Sequence, residues 1–155
     1  MLRERLPLVA AALWFGSLCA IGFMAVPLLF AHLPTAAAAG QLAARLFSAQ
    51  SWVSVACGLL ILMAARRRDG SAQPWAAGSM GWIAAGLVLA LLLEHGVAPR
   101  IVARDNLALW HSLGTGFYLL QWVCALAVLL RVGRPAAMQP LATPATAEAP
   151  PDQPS

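Results

Sequence analysis

The sequence has no lysine and little charge of either sign. Ten arginines stand against six acidic residues, and only 10 % of its 155 residues are charged. A soluble domain carries about a quarter of its residues as charges, so this scarcity excludes an ordinary water-soluble enzyme. Cysteine is scarce too. Cys19, Cys57 and Cys124 are an odd number, each inside an apolar run, which gives neither a disulfide framework nor a Cys-x-x-Cys metal site. They read as small apolar packing residues. A phosphate loop, a His-Glu-x-x-His pair, a Gly-x-Ser-x-Gly elbow and a Ser/His/Asp set are all missing. Their absence removes the usual sequence grounds for a hydrolase or a nucleotide-driven pump, and the expectation is a protein without enzymatic activity.

What the sequence has is apolar length. Hydrophobic residues make up 61 % of it, and the mean hydropathy is +0.74. Disorder needs the opposite composition. Four stretches reach the roughly 20 residues that cross a hydrocarbon core of about 30 Å: about 6–30, 46–65, 75–93 and 107–130. Backbone groups in lipid must be satisfied within the segment, so these runs are expected to be helices, and no polar/apolar alternation argues for a barrel. The expected fold class is an all-α membrane protein, a four-transmembrane-helix bundle over residues 1–132. The N-terminus imitates a secretory signal, with Arg3 and Arg5 before apolar Leu6 to Leu18, but bulky Leu18 occupies the −3 position for cleavage after Ala20. An uncleaved anchor that stays as the first helix is the expectation. Ala36 to Ala44 reads either as a short interfacial helix or as an extension of the second span. Asp69-Gly70 signals a turn, Pro99 to Asn106 reads as the last connection, and no internal repeat is evident. Residues 133–155, rich in proline and alanine, are expected to form a disordered cytoplasmic tail.

The arginines set the expected orientation. Arg3, Arg5, Arg66, Arg67, Arg68, Arg131 and Arg134 fall on one side, and Arg45, Arg100 and Arg104 on the other. The positive-inside rule then places both termini in the cytoplasm. Arginines at span ends serve topology, so the net charge of +4 does not imply a nucleic-acid partner. The expected surroundings are the lipid bilayer, with a homo-oligomer or a membrane-protein partner.

Helix faces carry the remaining detail. At 100° per residue, Thr115, Tyr118, Gln121, Trp122, Gly114 and Ala125 cluster on the His111 side of the fourth helix, within about 120°. Such a polar stripe is expected to face other helices, because lipid cannot satisfy it. Thr115, Tyr118 and Gln121 either glue helices together or line a polar cavity. Rows of small residues are expected at close helix contacts: Ala12, Gly16 and Ala20, continued by Phe23 and Pro27; Ser54 and Gly58; and Ala77, Gly81 and Ala85. Pro27 is expected to kink the first helix.

His32 follows the first span, His95 ends the third and His111 begins the fourth, all at one membrane face with Glu94 nearby. Imidazoles and a carboxylate together suit a transition metal, although their spacing matches no metal motif. The alternative is that each serves its own helix end. Haem would need facing axial imidazoles, and only His95 with His111 offers a pair. No cofactor is expected, with a transition metal at His111, His95 and His32 as the one alternative.

Two stretches together resemble a known family. Leu13-Trp14-Phe15-Gly16 precedes Val26-Pro27-Leu28-Leu29-Phe30, Ala39-Gly40, Leu46-Phe47 and Trp52. Pro99-Arg100-Ile101 precedes Trp110-His111-Ser112 and Tyr118-Leu119-Leu120-Gln121-Trp122. Their order and spacing, over about Leu6 to Leu130, resemble bacterial members of the transmembrane protein 205-like family, also called domain of unknown function 4149. The resemblance implies a four-helix membrane bundle and no established reaction, and the expected location is the bacterial inner membrane. The family's Trp-x-Gly and Pro-x-x-Phe elements fall on Trp14, Gly16, Pro27 and Phe30. It also implies metal or drug handling, through a vertebrate relative, without assigning that role to a residue. Two functions stay open from the sequence: small-solute or metal handling and tolerance, and a non-catalytic structural or docking subunit.

Overall fold

The computed structural model describes residues 2–66, 70–103 and 106–134. The proline-rich tail, Arg67, Arg68, Asp69 and Arg104 lie outside the described residues. Among the described residues, four helices are long and apolar enough to cross a membrane: Arg5–His32, Ala36–Ala64, Ala76–Val102 and Leu107–Val132. Strands do not occur among the described residues, apart from an isolated bridge between Arg66 and Ala72. The chain is therefore an all-helical, multi-pass membrane protein in its architecture.

Two helices are longer than their apolar runs. The second starts at Ala36, because extended Thr35 caps it: its hydroxyl accepts from the Ala38 N–H at 3.2 Å. The alanine-rich stretch is thus the extension of the second span. The third does not stop at Glu94 but continues to Val102. Glu94 is no helix end, since its carboxylate accepts a hydrogen bond from the Ser48 hydroxyl at 2.6 Å on the neighbouring helix. The connection to the fourth helix shortens accordingly, and Asn106 takes the left-handed conformation (φ 35°) just before that helix begins.

The helices form a ring in chain order. The first packs on the second and fourth, and the third packs on the same two. Across the diagonals, side chains meet: the Trp14 indole lies over Gly86, and the Phe47 and Tyr118 rings pack edge to face with centroids 5.1 Å apart.

Two of the helices change pitch. Ala20–Ala25 in the first and Leu92–Val97 in the third are π-helical turns, and each is followed at its second residue by proline, Pro27 and Pro99. Proline has no N–H to offer, and the widened turn accommodates its ring. In the first helix the cause is visible. The Tyr118 hydroxyl donates to the Leu18 carbonyl at 2.8 Å, so it reaches a carbonyl of the helix's own ladder beside the π-turn. Gly22 permits this approach, because a Cβ there would lie 2.5 Å from Tyr118 Cε1.

These features recur at fixed intervals. Pro27 and Pro99 are 72 positions apart, and so are the two π-turns. In the first and third helices, Pro7 and Ser79, Ala11 and Ile83, Trp14 and Gly86, and Leu18 and Ala90 are buried pairs at that same interval. In the second and fourth, Gln50 and Gln121, Ser54 and Ala125, and Cys57 and Val128 are buried pairs 71 positions apart. The two helical hairpins thus share much of their burial pattern, a likeness that residue identities conceal.

The small-residue rows need correction. Ser54 and Gly58 are buried, but Ala12, Gly16 and Ala20, with Phe23 and Pro27, are exposed, and so are Ala77, Gly81 and Ala85. The face of the first helix that enters the bundle is Pro7, Ala10, Ala11, Trp14 and Leu18. Lipid and bundle interior are equally apolar, so small size alone does not say which side a row faces.

Candidate functional site

A polar layer crosses the bundle near mid-depth. Gln50 is the middle residue of the second helix, with 14 residues on either side within Ala36–Ala64. At 1.5 Å per residue it lies about 21 Å along the helix from each end. Gln121, its counterpart, has 14 residues before it and 11 after within Leu107–Val132. Both are almost completely buried, at 2 % and 1 % exposure. Each follows by three residues one member of the Phe47–Tyr118 pair, so each lies about one turn from that contact.

The hydrogen bonds around Gln50 fix its orientation. Ser17 Oγ donates to the Trp14 carbonyl at 3.0 Å, and Ser54 Oγ donates to the Gln50 carbonyl at 2.9 Å. With both hydroxyls donating to backbone carbonyls, the amide nitrogen faces these two oxygens. Gln50 Nε2 donates to Ser17 Oγ at 3.0 Å and to Ser54 Oγ at 3.3 Å. That leaves Gln50 Oε1 without a partner. Trp14 Nε1, Gln121 Nε2 and Ser79 Oγ are likewise buried and unpartnered. A buried polar group without a partner costs about 1–3 kcal/mol, and a protein interior keeps few of them. Three of these four atoms belong to the mid-depth layer. Ser79 lies seven residues from Gly86, towards the end of the bundle that carries the termini.

A second polar contact sits in the third helix's π-turn. Glu94 is half-buried and takes the Ser48 hydroxyl. Its counterpart is Gly22, the residue against Tyr118. Each π-turn is therefore tied by a side chain of the other hairpin: Tyr118 of the fourth helix holds the first, and Ser48 of the second holds the third. Aromatic and cationic contacts frame the bundle ends. Arg100 stacks 4.6 Å from the Trp110 ring centroid and Arg131 5.3 Å from that of Trp82.

The stripe expected on the fourth helix divides. Tyr118 and Gln121 are buried, while Thr115 is exposed and returns its hydroxyl to the His111 carbonyl at 2.9 Å. The buried side of this helix runs through Tyr118, Gln121, Ala125 and Val128. Thr115 avoids facing protein because its own helix satisfies its hydroxyl. The histidines are dispersed as well. His32, His95 and His111 are all exposed, and His32 Nδ1 lies 3.0 Å from the Leu28 carbonyl of its own helix. Among the described residues, His, Cys, Asp and Glu side chains nowhere gather three or more to hold a metal ion, so the three histidines do not converge on one centre.

The motif residues also separate. Trp14 is fully buried against Gly86, and Pro27 follows the π-turn. Gly16 has open space where a side chain would be, and Phe30 is half exposed. Sequence reasoning missed Gln50, Ser17 and the Glu94–Ser48 contact. The available signal was the 71-residue interval between Gln50 and Gln121, each an amide in the middle of an apolar run.

No curated protein and no solved structure matches the chain. The matching family model covers Val9 to Leu109, which takes in Trp14, both π-turns and Gln50 but ends as the fourth helix begins. By that match the chain belongs to the family described as a domain of unknown function, DUF4149.

Proposed function

We propose that this chain is a non-catalytic, multi-pass protein of the bacterial inner membrane that handles a small solute, with both termini in the cytoplasm. The observation that carries this reading is the unpartnered polar layer at mid-depth, between two hairpins that share one pattern. Repeated halves and polar groups near the midplane recur in membrane transporters. Four helices are few for such a role, so the working unit is a homo-oligomer. The exposed histidines shift the emphasis from metal handling towards an uncharged solute.

The test is flux. Purified full-length protein in sealed vesicles should speed the entry of small uncharged solutes over protein-free vesicles, and an unchanged rate for every solute refutes the reading. The orientation rests on the arginine distribution alone. A reporter active only outside the cytoplasm, fused after Ser155, should be silent, and activity there reverses the topology.

A second reading has its own support. Ala12, Gly16 and Ala20 leave a smooth strip on the outside of the first helix, which suits a docking subunit in a membrane complex. Cross-linking through Gly16→Cys in native membranes would then capture a different polypeptide reproducibly, whereas the solute reading expects self-cross-links or none.

A further inference from the structure

The second helix outruns the lipid core at the end of the bundle opposite the termini, and the surplus carries a groove. Arg45 and Arg66 bracket Leu46 to Ala65, 20 residues that rise about 30 Å, the thickness of the hydrocarbon layer. Residues 36–44 of this helix therefore stand at headgroup level, with Arg45 at the boundary. Ala38, Gln41, Leu42 and Arg45, all exposed, line an open groove of about 240 Å³ on the outward side of the helix. We infer that this groove holds the headgroup of an anionic phospholipid, with Arg45 and Gln41 on its phosphate. Such a lipid sits there whether or not the protein moves a solute.

Helix geometry aims the two polar side chains. Side chains lean towards the N-terminus of their helix, which here is the headgroup end. Arg45 accordingly shares its groove with residues that all precede it, and its charge is carried away from the hydrocarbon. Gln41 and Arg45 are four positions apart, so they stand one above the other on one face. Among the described residues, neither side chain has a hydrogen-bond or ion-pair partner. Glu94, the one acidic residue at this end among the described residues, already takes the Ser48 hydroxyl. The partner of Arg45 must then come from outside these residues, and at this depth the surroundings offer phosphate. A guanidinium is a fork that meets two phosphate oxygens at once, and the Gln41 amide nitrogen has N–H groups for a further one. Ala38 leaves room for the headgroup, while Leu42 gives an apolar edge where the acyl chains begin. A zwitterionic lipid brings its own cation, which competes with Arg45 for the phosphate, so the anionic class is preferred.

The probe is an equal mixture of phosphatidylglycerol and phosphatidylcholine, added to the full-length protein in mixed micelles. Native mass spectrometry reads which lipid the intact protein retains. Phosphatidylglycerol should be retained in preference, and Arg45→Gln should lower that preference about fivefold, the factor one basic residue supplies at a membrane surface. Arg45→Lys keeps the charge without the fork and should fall between the two. Gln41→Leu should lower the preference by a smaller factor than Arg45→Gln. Arg66→Gln, at the opposite boundary, should leave most of it in place. The replaced side chains are all exposed, so each variant should keep the helical content of the parent, which circular dichroism checks. A preference unchanged in Arg45→Gln overturns the site. A loss as large in Arg66→Gln as in Arg45→Gln also overturns it, because overall charge and not the groove then selects the lipid. A dimer that Arg45→Gln dissociates while the lipid preference stays the same gives the groove to a second copy of the chain and overturns the lipid.

Discussion

Adding a single methyl group at Gly86 tests the diagonal contact that closes the bundle. A Cβ at this position would lie 2.6 Å from Trp14 Cη2, 2.7 Å from Trp14 Cζ2 and 3.4 Å from Cys124 Cβ. Relaxed carbon contacts are about 3.5–4.0 Å, so the overlap with the indole is about 1 Å. The indole cannot yield easily, being a rigid ring with no exposed surface. Overpacking of this kind costs about 1–3 kcal/mol. Gly→Ala also brings a helix-propensity gain of up to about 1 kcal/mol. Gly16→Ala isolates that gain, because nothing lies within 4 Å of its Cβ position. Gly86→Ala should therefore be less stable than Gly16→Ala by about 1–3 kcal/mol, measured by reversible unfolding in mixed micelles. Trp14→Phe removes both clashing ring carbons, so the Gly86→Ala cost should largely vanish in that background, giving a coupling energy above about 1 kcal/mol. Equal stability of Gly86→Ala and Gly16→Ala would refute the proposed packing of Trp14 on the third helix.

Tyr118→Phe keeps the ring against Phe47 and removes the hydroxyl from the Leu18 carbonyl. A loss of about 0.6–2 kcal/mol is expected in the same reversible unfolding. Ser48→Ala strips the hydroxyl from Glu94 and should cost about 1.5–3 kcal/mol, the range for hydrogen bonds to charged groups; Ser112→Ala, whose hydroxyl serves only its own helix, should cost clearly less. Cys57 and Cys124 are buried whereas Cys19 is partly exposed and accepts from Trp122 Nε1 at 3.1 Å, so a membrane-permeant alkylating reagent should label Cys19 first, as mass spectrometry of the digested protein would show.

The four spans were legible because twenty apolar residues in a row have few alternatives to a membrane helix. Their inward faces were less so. In water, polarity divides a helix into a wet side and a dry side, but a membrane helix meets apolar surroundings all round, and the rows at Gly16 and Gly81 gave no sign of which way they turned. Glu94 misled for a related reason: a charge ordinarily ends a span, yet here a hydroxyl on a neighbouring helix lets it stay inside one. Tyr118 and Gln121 were recognised from their helix, while Thr115 looked the same in sequence and differs only because its hydroxyl bends back one turn. The repeat was hidden because its halves share burial and proline position, not residue type. Gln50 became visible only once Ser17 and Ser54 were seen to hold its nitrogen.

The crossed ties at the two π-turns have a mechanical meaning. Tyr118 and Ser48 each reach from one hairpin to the π-turn region of the other, so each irregular turn has a hydrogen bond from outside its own hairpin. On one side of the π-turns the helices run with regular pitch towards the termini; on the other, the segments carrying Pro27 and Pro99 follow the widened turns and pack on neighbouring helices. Because each tie is anchored in the opposite hairpin, breaking it alters the half that holds it as well as the half that owns it.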